Sequence, residues 1–195
     1  MDKPKSMIMV IFGASGDLTH RKLMPALYLL YKLKKLPVNF AVLGVARTQY
    51  TDEEYRERIN LQLHRFLKAE DLNESLIDSF VNMLHYFSMD PSNPNDYLHL
   101  QPKLLELDTK IESGEHYLYY LATPPSLYGV IPQYLKNVGL NLDKGVRGKK
   151  RIVVEKPFGY NLDSALELNN VYYKDAFRED QIFRKIGRAS CRERV

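Results

Sequence analysis

The chain has 195 residues, of which 45% are hydrophobic and 27% charged, and its formal net charge is +4. This length supports one domain with a full hydrophobic core, and the composition is that of a soluble globular protein. No stretch approaches the roughly 20 apolar residues that span a bilayer, so no membrane partner is expected. The single cysteine, Cys191, excludes an intrachain disulfide and a cysteine zinc site. We therefore expect no metal centre and a reducing, cytoplasmic location.

The positive charge is concentrated at one end of the chain. Three of the four net positive charges come from residues 185–195, which contain Lys185, Arg188, Arg192 and Arg194 against Glu193. A basic balance ordinarily raises nucleic-acid binding as an option, but here it belongs to a short tail. We expect no nucleic-acid partner for the body of the chain, and salt-dependent binding by the tail is the least favoured functional alternative.

Apolar runs alternate with amphipathic stretches along the chain. Met7–Phe12 is a continuous apolar run that ends at a glycine, which is typical of a strand buried on both faces. Apolar residues at helical spacing follow from Leu23 to Leu33. A second strand is predicted over 40–45, and Thr51 with Glu54 has the capping-box pattern of a helix over 52–68.

The same alternation continues to residue 177. Helices are predicted over 74–84, 97–107, 126–138 and 161–177, and strands over 85–89, 116–122 and 151–154. Residues 141–150 are predicted to be a surface loop. Strands that alternate with helices favour βαβ units. The sequence thus predicts an α/β fold, a doubly wound, Rossmann-like parallel sheet with helices on both faces.

A glycine-containing loop lies between the first strand and the first helix. It reads Gly13-Ala14-Ser15-Gly16-Asp17-Leu18. Glycines allow a tight turn and close approach of the backbone to a phosphate, and a helix N-terminus supplies N–H donors with partial positive charge. The alternative is a strand-to-helix turn without a ligand. A P-loop is disfavoured because no Gly-Lys-Ser/Thr follows Gly16.

The residue after the second strand indicates which nicotinamide cofactor is preferred. NAD sites usually place an acidic residue there to bind the ribose 2′-hydroxyl. This chain has Arg47, which would attract a 2′-phosphate and can bind it with two hydrogen bonds. The sequence therefore favours NADP over NAD, with an ordinary solvated surface arginine as the alternative.

Taken together, these segments resemble the glucose-6-phosphate dehydrogenase family. Five matching segments occur in the family's order, namely GASGDLTHRKLMPALYLL (13–30), VLGVAR (42–47), LATPP (121–125), VEKPFGYNLDSALELN (154–169) and DQIFR (180–184). The resemblance covers residues 7–184 and implies that residues 1–184 form an NADP-binding Rossmann domain. It further implies glucose 6-phosphate as the substrate of the full-length protein, which we expect to be a homo-oligomer.

The resemblance also implies a role for each candidate site residue. The loop Gly13–Leu18 would cradle the pyrophosphate and Arg47 would hold the 2′-phosphate. Asp90 matches a position near the adenine side, although an aspartate before a proline is equally typical of a plain turn. Thr123 and Pro124 would lie along the nicotinamide half, unless the prolines only stop the strand. Lys156 would lie between cofactor and sugar phosphate, the alternative being a surface lysine at a strand end.

The resemblance ends after Arg184. In the family this segment continues Ile-Asp-His-Tyr-Leu-Gly-Lys, and a larger second domain supplies the histidine that accepts the hydroxyl proton. Here residues 185–195 do not match, and we predict that this basic tail is not native; a natural truncated paralogue is the alternative. The expected function is the NADP-binding domain of an enzyme that oxidises glucose 6-phosphate to 6-phosphogluconolactone in the pentose phosphate pathway. Its catalytic set is incomplete, so the fragment is expected to be inactive; a non-catalytic NADP-binding regulatory module remains the alternative.

Overall fold

Six parallel strands form the centre of the molecule. The computed structural model describes residues 5–143, 148–156, 163, 166 and 174–185. The strands are β1 (Met7–Phe12), β2 (Phe40–Ala46), β3 (Leu84–Ser88), β4 (Tyr117–Leu121), β5 (Lys150–Glu155) and β6 (Ile182–Lys185). Their order in the sheet is β3-β2-β1-β4-β5-β6, and every neighbouring pair is parallel. The chain winds outward in both directions from β1, which is the doubly wound order and confirms the predicted fold class.

Helices connect the strands. They are α1 (Met24–Lys32), α2 (Asp52–Phe66), α3 (Glu74–Val81), α4 (Tyr97–Ile111) and α5 (Val130–Asn137), and a π-helical turn, Thr19–Leu23, leads into α1. The predicted capping box of α2 is present. The Glu54 N–H donates to Thr51 Oγ1 at 3.2 Å, and the Thr51 N–H donates to Glu54 Oε2 at 2.7 Å. None of the described helices is long and apolar enough to cross a membrane.

The sheet separates two hydrophobic cores. Alternate residues of β1 point to opposite faces, so Ile8, Val10 and Phe12 pack with α4 and α5. Met9 and Ile11 belong to the other core, which contains α1, α2 and α3. Because β1 has helices against both faces, it must be apolar throughout, and this explains its continuous run of hydrophobic residues.

Several element boundaries differ from the predicted ones. The predicted helix over 126–138 begins only at Val130, because the prolines after β4 are followed by a short 3-10 turn, Pro125–Leu127. Lys150, predicted to lie in a loop, is the first residue of β5 and is only 2% exposed. Its ammonium donates to the Glu115 and Gly148 carbonyls at 2.6 and 3.1 Å. Burying the charge there is compatible with a strand because those carbonyls satisfy it.

The sixth strand was not predicted from the sequence. It has four residues, and its side chains alternate between buried and accessible positions, so its apolar signal is weak. Lys185, the first residue of the predicted non-native tail, pairs with Glu155 in this strand. Residues 186–195 lie outside the described residues. Most of the predicted helix over 161–177 also lies outside them, and its described part includes a helical turn, Lys174–Ala176.

Candidate functional site

A cleft of about 410 Å³ opens at the carboxyl ends of the central strands. It is lined by the segments that follow β1, β2, β3 and β4, namely Gly13, Ser15, Gly16, Ala46, Arg47, Thr48, Asp90, Pro91, Ser92, Ala122, Thr123, Pro124, Ser126 and Leu127. The strand order reverses between β1 and β4, and such switch points are where open α/β sheets bind ligands.

The glycine loop is drawn tightly between β2 and β4. The N–H groups of Gly13 and Ala14 both donate to the Val45 carbonyl, at 2.8 and 3.2 Å. Gly13 has φ +88°, and a Cβ atom there would lie 2.3 Å from the carbonyl oxygen of Ala122. Gly44 is also required, because its Cβ would lie 2.9 Å from the Cβ of Ala14. Glycine at positions 13 and 44 therefore allows the loop to pack closely against the strands on either side of it.

The loop leads directly into a helix N-terminus beside the cleft. The chain is helical from Asp17 onward, and the Thr19 hydroxyl donates to the Gly13 carbonyl at 3.0 Å. Within the described part of the chain, the Ser15 N–H takes part in no hydrogen bond. An available backbone donor beside the positive end of a helix dipole is suited to an anionic group such as a phosphate.

The end of β2 adds a cationic side chain and a hydroxyl group that pairs with a hydroxyl of the glycine loop. Arg47 and Thr48 are exposed at the cleft, and the Thr48 hydroxyl donates to Ser15 Oγ at 3.1 Å. The Thr48 carbonyl accepts hydrogen bonds from Tyr86 Oη and Ser88 Oγ, both at 2.8 Å. A guanidinium next to paired hydroxyls can bind a phosphate through charge-assisted hydrogen bonds.

Asp90 provides a carboxylate at the cleft. It accepts hydrogen bonds from the N–H and the hydroxyl of Ser92, at 2.9 and 2.7 Å. These bonds lower the pKa of Asp90, and the positive charge of Arg47 lowers it further. The carboxylate is therefore ionised at neutral pH and can accept hydrogen bonds from hydroxyl or amino groups.

The end of β4 contributes a buried hydroxyl group, that of Thr123, to the cleft. Thr123 Oγ1 is buried and has no hydrogen-bond partner among the described residues. Buried polar atoms are rarely left unpaired, so this atom marks a position where a polar group of a ligand would fit. Pro124 follows it on the wall of the cleft.

The structure brings seven of the eleven predicted site residues to the cleft, namely Gly13, Ser15, Gly16, Arg47, Asp90, Thr123 and Pro124. The other four lie elsewhere. Ala14 is in the core behind the loop, and Leu18 is partly buried against the same core. Asp17 is exposed, where it pairs with Arg21 at 3.4 Å. Lys156 is exposed at the end of β5 and is not among the lining residues.

Sequence reasoning missed the hydroxyl side chains that surround the predicted residues. Thr48, Ser92 and Ser126 all line the cleft. Each follows the carboxyl end of a strand by a few residues, which is the signal that would have identified them.

Comparisons with known proteins agree with this geometry. The family model for "Glucose-6-phosphate dehydrogenase, NAD binding domain" matches residues 10–186. The glucose-6-phosphate 1-dehydrogenase of Aggregatibacter actinomycetemcomitans is 46% identical over 182 residues, which are 93% of this chain and 36% of that protein. The enzyme of the same name from Bacillus subtilis (strain 168) is 36% identical, over 93% of this chain and 35% of the relative.

Solved structures show the same relationship. A glucose-6-phosphate dehydrogenase in complex with its substrate glucose 6-phosphate superimposes with a TM-score of 0.81 and 33% identity, over 95% of this chain and 37% of that one. The glucose-6-phosphate 1-dehydrogenase of Mycobacterium avium gives 0.77 and 30%, over 93% and 36%. The chain spans little more than a third of the length of these proteins. The predicted domain boundary at residue 184 stays a prediction.

The family match covers the sheet, the glycine loop and the cleft between them. Its description assigns a pyridine-nucleotide cofactor to that domain. The chain belongs to the glucose-6-phosphate dehydrogenase family and carries its NAD-binding domain.

Proposed function

We propose that this chain is the NADP-binding domain of a glucose-6-phosphate dehydrogenase. The observation that carries the proposal is the position of Arg47, which lines the cleft where the second strand ends, beside the glycine loop. The three residues Ala46, Arg47 and Thr48 include no acid that would repel a 2′-phosphate. An arginine at this point favours the phosphorylated cofactor.

The lining residues fit the two charged parts of NADP. The pyrophosphate would bind at the glycine loop, where the Ser15 N–H and the helix N-terminus supply donors. The 2′-phosphate would bind between Arg47 and the hydroxyls of Thr48 and Ser15, which lie 3.1 Å apart. Asp90, held by Ser92, would face the adenine side.

The remaining residues fit the nicotinamide half of the cofactor and the substrate. The Thr123 hydroxyl, which has no partner in the described part of the chain, would bind a polar group of the cofactor, with Pro124 beside it. Lys156, at the end of β5, would orient the sugar phosphate, since positioning of reactants contributes strongly to catalysis. The bound nicotinamide would supply the hydride acceptor. We propose that the full-length protein oxidises glucose 6-phosphate at C1 to 6-phosphogluconolactone. This reaction belongs to the pentose phosphate pathway.

We expect these 195 residues alone to bind the cofactor without turnover. Oxidation at C1 requires a base for the C1 hydroxyl proton. No histidine is among the described lining residues, and Asp90 is a weak base because Ser92 lowers its pKa. Homo-oligomer assembly and a cytoplasmic location of the full-length protein are further predictions of the same proposal.

Calorimetric titration of the purified chain with NADP and with NAD tests this assignment. The wild-type chain should bind NADP more tightly than NAD. Arg47→Ala should weaken NADP binding by about tenfold or more and change NAD binding by less than about twofold, because only NADP has the charged group that Arg47 binds. Arg21→Ala is the matched control, since Arg21 pairs with Asp17 outside the cleft.

Equal loss of both cofactors in Arg47→Ala would contradict the NADP assignment. Formation of NADPH when glucose 6-phosphate is added to the chain would contradict the expected lack of turnover. If NADP binds but Lys156→Ala in the full-length protein leaves the oxidation of glucose 6-phosphate unchanged, the proposed role of Lys156 is wrong.

A further inference from the structure

One backbone carbonyl at the end of β2 is held by two side chains from β3. The Thr48 carbonyl accepts from the Tyr86 hydroxyl and from the Ser88 hydroxyl, each at 2.8 Å. A carbonyl oxygen has two lone pairs, so both of its acceptor sites are used. These bonds hold the peptide unit that follows Thr48, one residue beyond the Cα atom of Arg47.

The same phenol also contacts the backbone on the other side of Arg47. Tyr86 Oη lies 3.5 Å from the Ala46 carbonyl oxygen, at the outer limit of a hydrogen bond. The Thr48 hydroxyl, in turn, bonds to Ser15 Oγ of the glycine loop at 3.1 Å. Strand β3, the end of β2 and the glycine loop are thus joined in one chain of polar contacts.

The position of the Tyr86 hydroxyl is well defined. The side chain is 5% exposed, and its ring packs against Tyr55 at 4.7 Å and Tyr50 at 5.4 Å between ring centres. The Arg58 guanidinium lies 5.7 Å from the outer ring, that of Tyr50. Burial raises the pKa of Tyr86 to about 12, so the phenol is protonated and remains a donor at neutral pH.

We infer that Tyr86 and Ser88 are positioning residues that set cofactor selectivity by holding the Arg47–Thr48 backbone through the Thr48 carbonyl. This inference rests on the proposed function, in which the cleft binds NADP. Neither residue lines the cleft, so neither would touch the cofactor. They act by ordering the loop before binding, which reduces the conformational entropy lost when the 2′-phosphate is bound. NAD lacks that phosphate and gains little from the ordered loop.

Tyr86→Phe tests the inference because it removes one hydroxyl and keeps the ring packing. We expect NADP binding to weaken about fivefold and NAD binding to change by less than about twofold. Ser88→Ala removes the second donor and should act in the same direction, and the double variant should lose more than either single one. Tyr55→Phe is the matched control, because its hydroxyl is buried in the same aromatic cluster and has no partner among the described residues.

The Arg47→Ala background separates positioning from a general structural effect. If Tyr86 acts through Arg47, Tyr86→Phe should have no further effect on NADP binding once Arg47 is removed. Additive effects in the two backgrounds, equal losses for NADP and NAD, or no loss in either Tyr86→Phe or Ser88→Ala would overturn the inference.

Failure of the proposed function itself has a different outcome. In that case the wild-type chain would not prefer NADP over NAD, and Arg47→Ala would not be selective. Circular dichroism and urea unfolding of each variant verify that the fold is retained, and Ser88→Ala keeps the test informative if Tyr86→Phe is poorly folded.

Discussion

The β1–β2 side of the sheet, which we call the cofactor half, and the β5–β6 side, which we call the second half, are buried to different extents. Strands β1 and β2, in the half that carries the glycine loop and Arg47, are buried along nearly their whole length. In β5 and β6 the buried positions alternate with accessible ones. On one face of this second half, Val153 is only partly buried and its sheet neighbour Phe183 is 48% exposed.

The accessible face also contains an apolar cavity of about 270 Å³. It is lined by Met7, Leu118, Val153 and Phe183, with Lys149 and Arg151 among its polar neighbours. The cavity lies far from the carboxyl ends that form the cofactor cleft, because Met7, Lys149 and Arg151 are at or near the starts of their strands. Within the described residues, β1 and β2 are therefore covered on both faces, whereas the second half of the sheet keeps an apolar face accessible.

The largest expected effect compares a phenylalanine from each half. Phe80 is fully buried and contacts the rings of Tyr28 and Tyr31 at 5.8 and 5.9 Å. Phe80→Ala should lower the free energy of unfolding by about 3–5 kcal/mol, since it leaves a cavity. Phe183→Ala should cost about 1 kcal/mol or less, because the ring is half exposed in the folded chain. Urea denaturation measures both, and equal losses would contradict the difference between the halves.

A smaller effect is expected for two glycines with positive φ. Gly13→Ala should cost about 3 kcal/mol, because the new Cβ would meet the Ala122 carbonyl 2.3 Å away in a left-handed conformation. Gly139→Ala should cost only about 1 kcal/mol, the conformational part alone, since no atom of the described residues lies within 4 Å of its Cβ position. Thermal or urea unfolding compares the two. If Gly139→Ala were the costlier change, steric contact in the cofactor half would not be the cause.

The helix cap of the cofactor half should contribute less again. Thr51→Ala removes the capping box of α2 and should lower the free energy of unfolding by about 1 kcal/mol. Thr109 is the matched control in α4, where its hydroxyl bonds to the Leu105 carbonyl within the helix. Thr109→Ala should be close to neutral, because such internal bonds add little to a helix. If urea unfolding shows the same loss of unfolding free energy for Thr51→Ala and Thr109→Ala, the capping box does not stabilise α2.

The smallest effect concerns the dependence of stability on pH. Burial lowers the pKa of His20, whose Nε2 has no partner among the described residues, and the nearby Arg58 lowers it further. The unfolded chain therefore binds a proton at His20 more readily than the folded chain does. As a result, the free energy of unfolding decreases as the pH falls below 6.5, the ordinary pKa of histidine. His20→Gln should reduce the loss of unfolding free energy between pH 7.5 and 5.5.

His64 provides a comparison of opposite sign. The Asn60 carbonyl and the Glu74 carboxylate raise the pKa of His64, so its contribution is present below pH 6.5 and is lost as the pH rises through the folded-state value. His64→Gln should steepen the loss of stability on acidification, as measured by urea unfolding at both pH values. The same change in both variants would mean that burial of His20 does not control its protonation.

The sequence pattern predicted several local features of the fold correctly. The apolar run of β1 and the Thr51–Glu54 capping box both follow from residues that are close together in the chain. The position of the glycine loop, between a strand and a helix, also follows from local spacing. β6 was missed because a four-residue strand with an accessible face carries little apolar signal.

The fold class, the family and the segments that form the cleft could therefore be inferred from the amino-acid sequence, because they depend on periodicity and on contiguous motifs. How those segments contact one another depends instead on the pairing of distant strands. Ser88 holds the Thr48 carbonyl, 40 positions away, because the register of β2 and β3 places Ala46 opposite Ser88. The tertiary structure likewise places Lys156 outside the cleft lining and leaves Thr123 Oγ1 without a hydrogen-bond partner among the described residues. Hydrogen bonds of this kind depend on strand pairing between distant segments, which no local pattern encodes.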